Sequence, residues 1–216
     1  MGKGTMHRLI RMLLLVLLAG TLAACGGDDD SDNTGAQDRL PESVTADFEG
    51  GTLTVRYPEG WVNTVEDGDN DSEPGLFFFP YLGLATNQTL LDSPSSALPG
   101  LLQAGDVALI ILAGTPQEEG ITPEAMTTGL LADGAADAVS MSDVETFQID
   151  GRSAAISYGT TLEEGQTVGA ILCAVELGEV AAVMLFYVPE AEVDQTIALA
   201  RDIAAQMQFA PGESSQ

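Results

Sequence analysis

Residues 167–177 and 180–188 constrain the fold more than any other part of the chain. Apart from Thr167 and Glu176 they are apolar or glycine throughout, and Gly178 and Glu179 separate them. A strand with one wet face alternates polar and apolar residues, and these two do not. The pair reads as a long antiparallel hairpin that needs cover on both faces. Residues 76–79 and 106–112 carry the same two-sided pattern, so the sheet they build is covered on both sides, at least centrally.

Around that centre short strands outnumber helices. Residues 52–57 alternate, with one wet face, and Pro58, Glu59 and Gly60 form a turn that closes an early hairpin before Trp61. Residues 84–96 are weakly patterned. Thr122, Pro123 and Glu124 read as N-cap, first-position proline and first-turn acid. Met126 and Leu130, like Thr127 and Leu131, stand four apart and give that helix a buried stripe, ending near residues 134–138. Residues 144–149 and 152–159 are strands joined by an Asp150-Gly151 hairpin turn. Residues 189–209 close the chain as a helix, with Val193, Ile197, Ala200, Ala204 and Met207 on one face and Glu192, Asp194, Gln195 and Asp202 on the wet side. Strands paired through short turns, with few and separated helices, argue an α+β fold: an antiparallel sheet with helices packed on it, one domain over residues 41–210.

Four features recur in an order that resembles the PsbP-like superfamily. Tyr57, Pro58, Glu59, Gly60 and Trp61 close the early hairpin. Phe147 to Arg152 span the Asp150-Gly151 turn. The long hairpin ends Phe186, Tyr187, Val188, Pro189, and Met207, Gln208 and Phe209 follow the last helix. The resemblance covers roughly residues 45–209, and residues 82–104 do not align. The superfamily includes the photosystem II extrinsic protein, the Mog-type Ran-binding proteins and many bacterial lipoproteins. It implies an antiparallel sheet sandwiched between helices (α/β/α), and binding or assembly roles rather than catalysis. It brings no active-site motif.

The N-terminus has a different character. Lys3, Arg8 and Arg11 precede an apolar run from Leu13 to Ala24, and Gly26, Gly27 and three aspartates follow Cys25. The run is shorter than the roughly 20 residues a spanning helix needs. Leu22-Ala23-Ala24-Cys25 resembles the lipobox of bacterial lipoproteins, where a signal peptidase cuts between Ala24 and Cys25 once the thiol carries a diacylglyceryl thioether with palmitate-type chains. Residues 1–24 are then a signal peptide and Cys25 a lipid anchor, which places the mature chain at the cell membrane, facing outside the cytoplasm. An ordinary secretory signal and an uncleaved anchor are the alternatives. Residues 26–38 hold five aspartates and no large apolar side chain. With Cys25 and the residues to position 40 they form an acidic, disordered tether with a reach of about 20 Å. Residues 211–216 form a disordered tail.

All 33 acidic residues lie beyond the signal, against four basic ones: Arg39, Arg56, Arg152 and Arg201. Such a surface repels nucleic acid. With so many acids about, Arg56 and Arg152 are each expected in a surface ion pair, an anion site being the alternative. The one histidine, His7, lies in the signal, and no lysine lies beyond it. The mature chain therefore lacks histidine-based triads, histidine zinc ligands and the P-loop lysine. Cys173 sits in an apolar run and is expected to be a buried, inert thiol, with Cys25 consumed by lipid.

Asp67, Asp69 and Asp71 occupy positions 1, 3 and 5 of a pattern like the start of an EF-hand loop, with Glu73 as a further oxygen donor. Ser72 stands where the loop needs glycine, and Phe78 where it needs the bidentate glutamate. A solvated acidic loop is the alternative to a Ca²⁺ site. Residues 77–81 read as a core strand or a docking patch, and Trp61 as a core lid or a ligand-stacking residue. The expectation is a non-catalytic, membrane-anchored binding or assembly module of the cell envelope, with an envelope protein as partner and no cofactor. A Ca²⁺-responsive module and a carboxylate-based hydrolase are the alternatives.

Overall fold

The computed structural model describes residues 39–48, 50–66, 81–93, 97–115, 120–134, 138–163 and 165–212. The expected signal, Cys25 and the tether to residue 38 lie outside the described residues. So do Asp67, Asp69, Asp71 and Glu73, the aromatic run 77–79 and residues 213–216.

In chain order the elements are β1 (Glu42–Phe48), β2 (Gly51–Tyr57), β3 (Val62–Glu66), β4 (Tyr81–Ala85), α1 (Gln88–Leu91), α2 (Leu98–Leu101) and β5 (Ala108–Gly114). Then come α3 (Pro123–Gly134), β6 (Ala138–Met141), β7 (Glu145–Ile149), β8 (Arg152–Glu163), β9 (Gln166–Glu176) and β10 (Ala181–Val188). A 3₁₀ turn (Glu190–Glu192), α4 (Val193–Gln206) and β11 (Gln208–Pro211) complete the chain. The pairings are antiparallel. An eight-stranded sheet has the order β3-β4-β5-β10-β9-β8-β6, with β7 also on β8, and a three-stranded sheet has the order β1-β2-β11.

The two-sided hairpin is the centre, as its composition demands. Ala181 pairs with Glu176 and Val188 with Gly169, and β9 is buried continuously from Val168 to Val175. On one face Ile171, Cys173, Val175, Met184 and Phe186 share a core with Leu53 and Val55 of β2 and with Ala200, Ile203 and Ala204 of α4. On the other, Leu172, Ala174 and Val183 meet Met126, Leu130 and Leu131 of α3. The short helices α1 and α2 add Leu90 and Leu98 over Ala85, Ala108 and Tyr187. Each fully buried leucine or phenylalanine contributes about 1.5–3 kcal/mol, so covering both faces is what holds the sheet.

The α+β class with an antiparallel sheet between helices therefore holds, with one addition: on the α4 side a small second sheet shares the cover. Local signals also hold. Thr122 Oγ1 accepts from Ala125 N at 3.2 Å as the N-cap of α3. Asp150 (φ +49°) and Gly151 (φ +77°) form the tight turn between β7 and β8, both left-handed as a twist-matched hairpin turn requires.

Three expectations are corrected. Tyr57 to Trp61 close no hairpin: β2 lies in the small sheet and β3 in the large one, so Pro58 to Gly60 carry the chain between sheets. The last helix stops at Gln206. Met207 is extended (φ −67°, ψ 136°), and Phe209 pairs with Leu53 in β11, because the unpaired edge of β2 takes it. Among the described residues Arg56 and Arg152 make no ion pair; the two found there belong to Arg39 and Arg201. In addition, β1, where Val44, Ala46 and Phe48 alternate with polar residues, and β4 form where no strand was expected, each held by pairing along its whole length.

Candidate functional site

Three of the four arginines beyond residue 24 converge on α4. Arg152, at the start of β8, donates from Nη1 to Met207 O at 2.9 Å and from Nη2 to Ala205 O at 3.1 Å and Ala204 O at 3.4 Å. These carbonyls end the helix, where the macrodipole is negative and the last C=O groups lack helical partners. Arg39 reaches Asp202 at 3.0 Å, beside Leu40, which is fully buried where the described chain begins. Arg201 projects from α4 to Glu145 Oε2 at 3.0 Å, with its guanidinium carbon 5.1 Å from the centre of the Phe147 ring. The fourth, Arg56, donates from Nη2 to Pro41 O at 3.4 Å.

This use of cations shapes the exterior. Glu42, Asp47, Glu59, Glu124, Asp150, Glu176, Glu179 and Asp194 are all exposed. The molecule thus presents carboxylates outward while its guanidinium groups fasten the C-terminal helix and the start of β1.

Other polar clusters serve local geometry. Asp106 Oδ1 accepts from Thr86 Oγ1 and Asn87 Nδ2, both at 3.0 Å, and Oδ2 accepts from Gln103 N at 2.9 Å. That network fixes the approach to β5. Tyr158 donates to Glu145 Oε1 at 2.9 Å, and this hydrogen bond and the carboxylate charge hold its hydroxyl above the usual value of 10.0. Ser157 Oγ donates to Ser142 O, and Tyr158 N to Ser142 Oγ, which holds the link between β6 and β7 against β8, while a register shift interrupts β6 itself between Ala138 and Ser140.

Cys173 is fully buried, and burial pushes its thiol up to about 12, which leaves no thiolate at neutral pH. Trp61 packs half-buried on the main core, as a lid. A cleft of about 50 Å³ lies between β4, β5 and α1, lined by Tyr81, Leu91, Leu98 and Ile110 among others, with room for a few waters. Among the described residues no three His, Cys, Asp or Glu side chains are placed to hold a metal ion, and no helix is long and apolar enough to cross a membrane. The sequence-predicted site residues Cys25, Asp67, Asp69, Asp71 and Glu73 lie outside the described residues. The grouping of arginines on α4 has no sequence signal beyond their scarcity.

No family model and no curated protein sequence matches the chain. Solved structures do. The chain is similar to the solution structure of cyanobacterial PsbP (CyanoP) from Synechocystis sp. PCC 6803, at 12% identity and a TM-score of 0.43, covering 88% of this chain and 100% of that one. It is also similar to LpqN, involved in cell envelope biogenesis of Mycobacterium tuberculosis, at 14% identity and a TM-score of 0.45, covering 79% of this chain and 91% of that one.

Proposed function

We propose that this protein is a lipid-anchored extracytoplasmic binding module of the cell envelope, without a catalytic role of its own. The observation that carries the reading is Leu22-Ala23-Ala24-Cys25, placed after a basic start and an apolar run and before an aspartate-rich stretch. Its chemistry is transfer of a diacylglyceryl group to the Cys25 thiol as a thioether, and cleavage after Ala24. Two or more acyl chains hold a protein firmly, where one holds it marginally.

The arrangement of the fold fits such a role. Leu40 is buried where the described chain begins, so a tether joins the domain at a fixed point beside α4. The exposed carboxylates favour a cationic partner and oppose contact with anionic headgroups.

The test is metabolic labelling with a clickable palmitate analogue. Cys25→Ala loses the label and moves the protein from the membrane to the soluble fraction. Retention of label in Cys25→Ala sinks the anchor. Proximity labelling from the anchored protein then reads the partner, and recovery of only random envelope proteins sinks the envelope-complex reading.

A further inference from the structure

Each sheet ends in edge strands, and they are not alike. At one end of the large sheet, β6 is interrupted by a register shift between Ala138 and Ser140, and residues 142–144 separate it from β7. At the other, β3 is five residues long. In the small sheet, β11 is four residues long and ends in Pro211, which has no amide to donate. The remaining edge is β1, seven residues from Glu42 to Phe48 with no bulge and no internal proline. Among the described residues it pairs with β2 alone.

This edge is stiff. All seven residues of β1 are in register with β2, from Glu42 opposite Tyr57 to Phe48 opposite Gly51. Thr45 and Thr54 hydroxyls are hydrogen-bonded at 3.2 Å, and Thr52 donates to Asp47 at 2.9 Å. A strand already ordered costs little to pair with. Val44 packs against the main core yet stays only half-buried.

Charge decides the occupant. Glu42 and Asp47 are exposed near the two ends of β1, roughly 17 Å apart at about 3.4 Å per residue. A second copy added antiparallel along β1 brings its own Glu42 and Asp47 to the seam and no basic residue to pair with them. A chain with 33 acidic residues and seven basic ones repels its own copy in any case.

We propose that the free edge of β1 takes an extended, basic segment of a partner protein by strand addition. Main-chain hydrogen bonds supply the affinity, an apolar residue of the segment covers Val44, and basic residues meet Glu42 and Asp47. The proposal rests on the binding-module reading, but its test does not involve the anchor.

The test uses full-length protein in detergent and a short fluorescent peptide that alternates valine and threonine between terminal lysines. Anisotropy reports binding, and amide hydrogen exchange on the complex slows across residues 42–48. Affinity falls about tenfold or more when alternate peptide amides are methylated, when glutamates replace the lysines, or in Glu42→Lys. The proposal is overturned if the peptide does not bind, if the methylated peptide binds as tightly, or if protection appears only outside residues 42–48. Such a failure leaves palmitate labelling of Cys25 untouched, so the two readings fail separately.

Discussion

Arg152 Nη1 donates to the carbonyl oxygen of Met207 at 2.9 Å, joining the start of β8 to the end of α4 across 55 positions of sequence. The same guanidinium reaches Ala204 O and Ala205 O, and its Nε donates to Ile149 O at 3.4 Å. One side chain therefore caps the C-terminal helix and ties it to the β7–β8 turn.

Removing that cap exposes its worth. Arg152→Ala leaves part-buried carbonyls without their donor, and is expected to cost about 2–3 kcal/mol, in the range for hydrogen bonds to a charged group. Arg152→Lys recovers only part of this, because an ammonium cannot span the same acceptors as a planar fork. Urea unfolding curves measure both. A loss below experimental error in Arg152→Ala rules out the cap.

Gly169 sets how closely α4 approaches the sheet. A Cβ there would stand 2.5 Å from Val193 Cγ2 and 2.9 Å from Val188 Cγ2. Gly169→Ala is expected to destabilise by about 1–3 kcal/mol through overpacking. The double variant Gly169→Ala with Val193→Ala relieves the contact and recovers part of the loss, which a thermodynamic cycle reads directly.

Cys173 makes stability fall at alkaline pH. Its thiol pKa rises from 9.0 to about 12 in the fold. Below pH 9 the thiol is protonated in both states and the term is constant. Between pH 9 and about 12 the unfolded chain loses a proton that the native state keeps, so unfolding is favoured as pH rises. Cys173→Ala flattens this part of the pH–stability curve. In the native protein at neutral pH, Cys173 is expected not to react with a thiol reagent until the protein unfolds.

Salt stabilises this protein. With a formal charge of −26, self-repulsion is expected to outweigh the two exposed or part-exposed ion pairs found among the described residues, which salt weakens. Raising NaCl from low ionic strength is expected to add about 1 kcal/mol, or roughly 2–4 °C in Tm for a chain of this size. Ca²⁺ and Mg²⁺ then act alike at matched concentration. An excess for Ca²⁺ that disappears in Asp69→Asn places a cation with Asp67, Asp69, Asp71 and Glu73.

Elements whose signal is local were legible in sequence. The β7–β8 turn needs two left-handed residues, and Asp150-Gly151 announces them. The start of α3 needs a side-chain acceptor and tolerates proline, and Thr122-Pro123 supplies both. β4 was not legible: Tyr81, Leu82, Gly83, Leu84 and Ala85 include two residues with little strand preference. Gly83 is there because Thr64 and Leu91 leave no room for a Cβ. The candidate sites Cys25 and Asp67 to Glu73 were legible only as patterns, whereas the arginine contacts on α4 were not legible at all.

By itself the sequence determined that a two-sided apolar hairpin must lie at the centre of an antiparallel sheet covered on both faces, because water excludes such strands from any edge or open face. It also determined the surplus of carboxylates and the Leu22-Ala23-Ala24-Cys25 pattern. Only the tertiary structure decided that β2 and β3 belong to different sheets, that Phe209 leaves the helix to pair with Leu53, and that Arg152 caps α4. Each of these depends on a partner that folding alone brings near: a strand edge left open by β1 and β2, and a helix end whose carbonyls are left without donors. Residues far apart in the chain carry no mark of such a meeting, because hydrogen-bond geometry is set by distance in space and not by spacing in sequence.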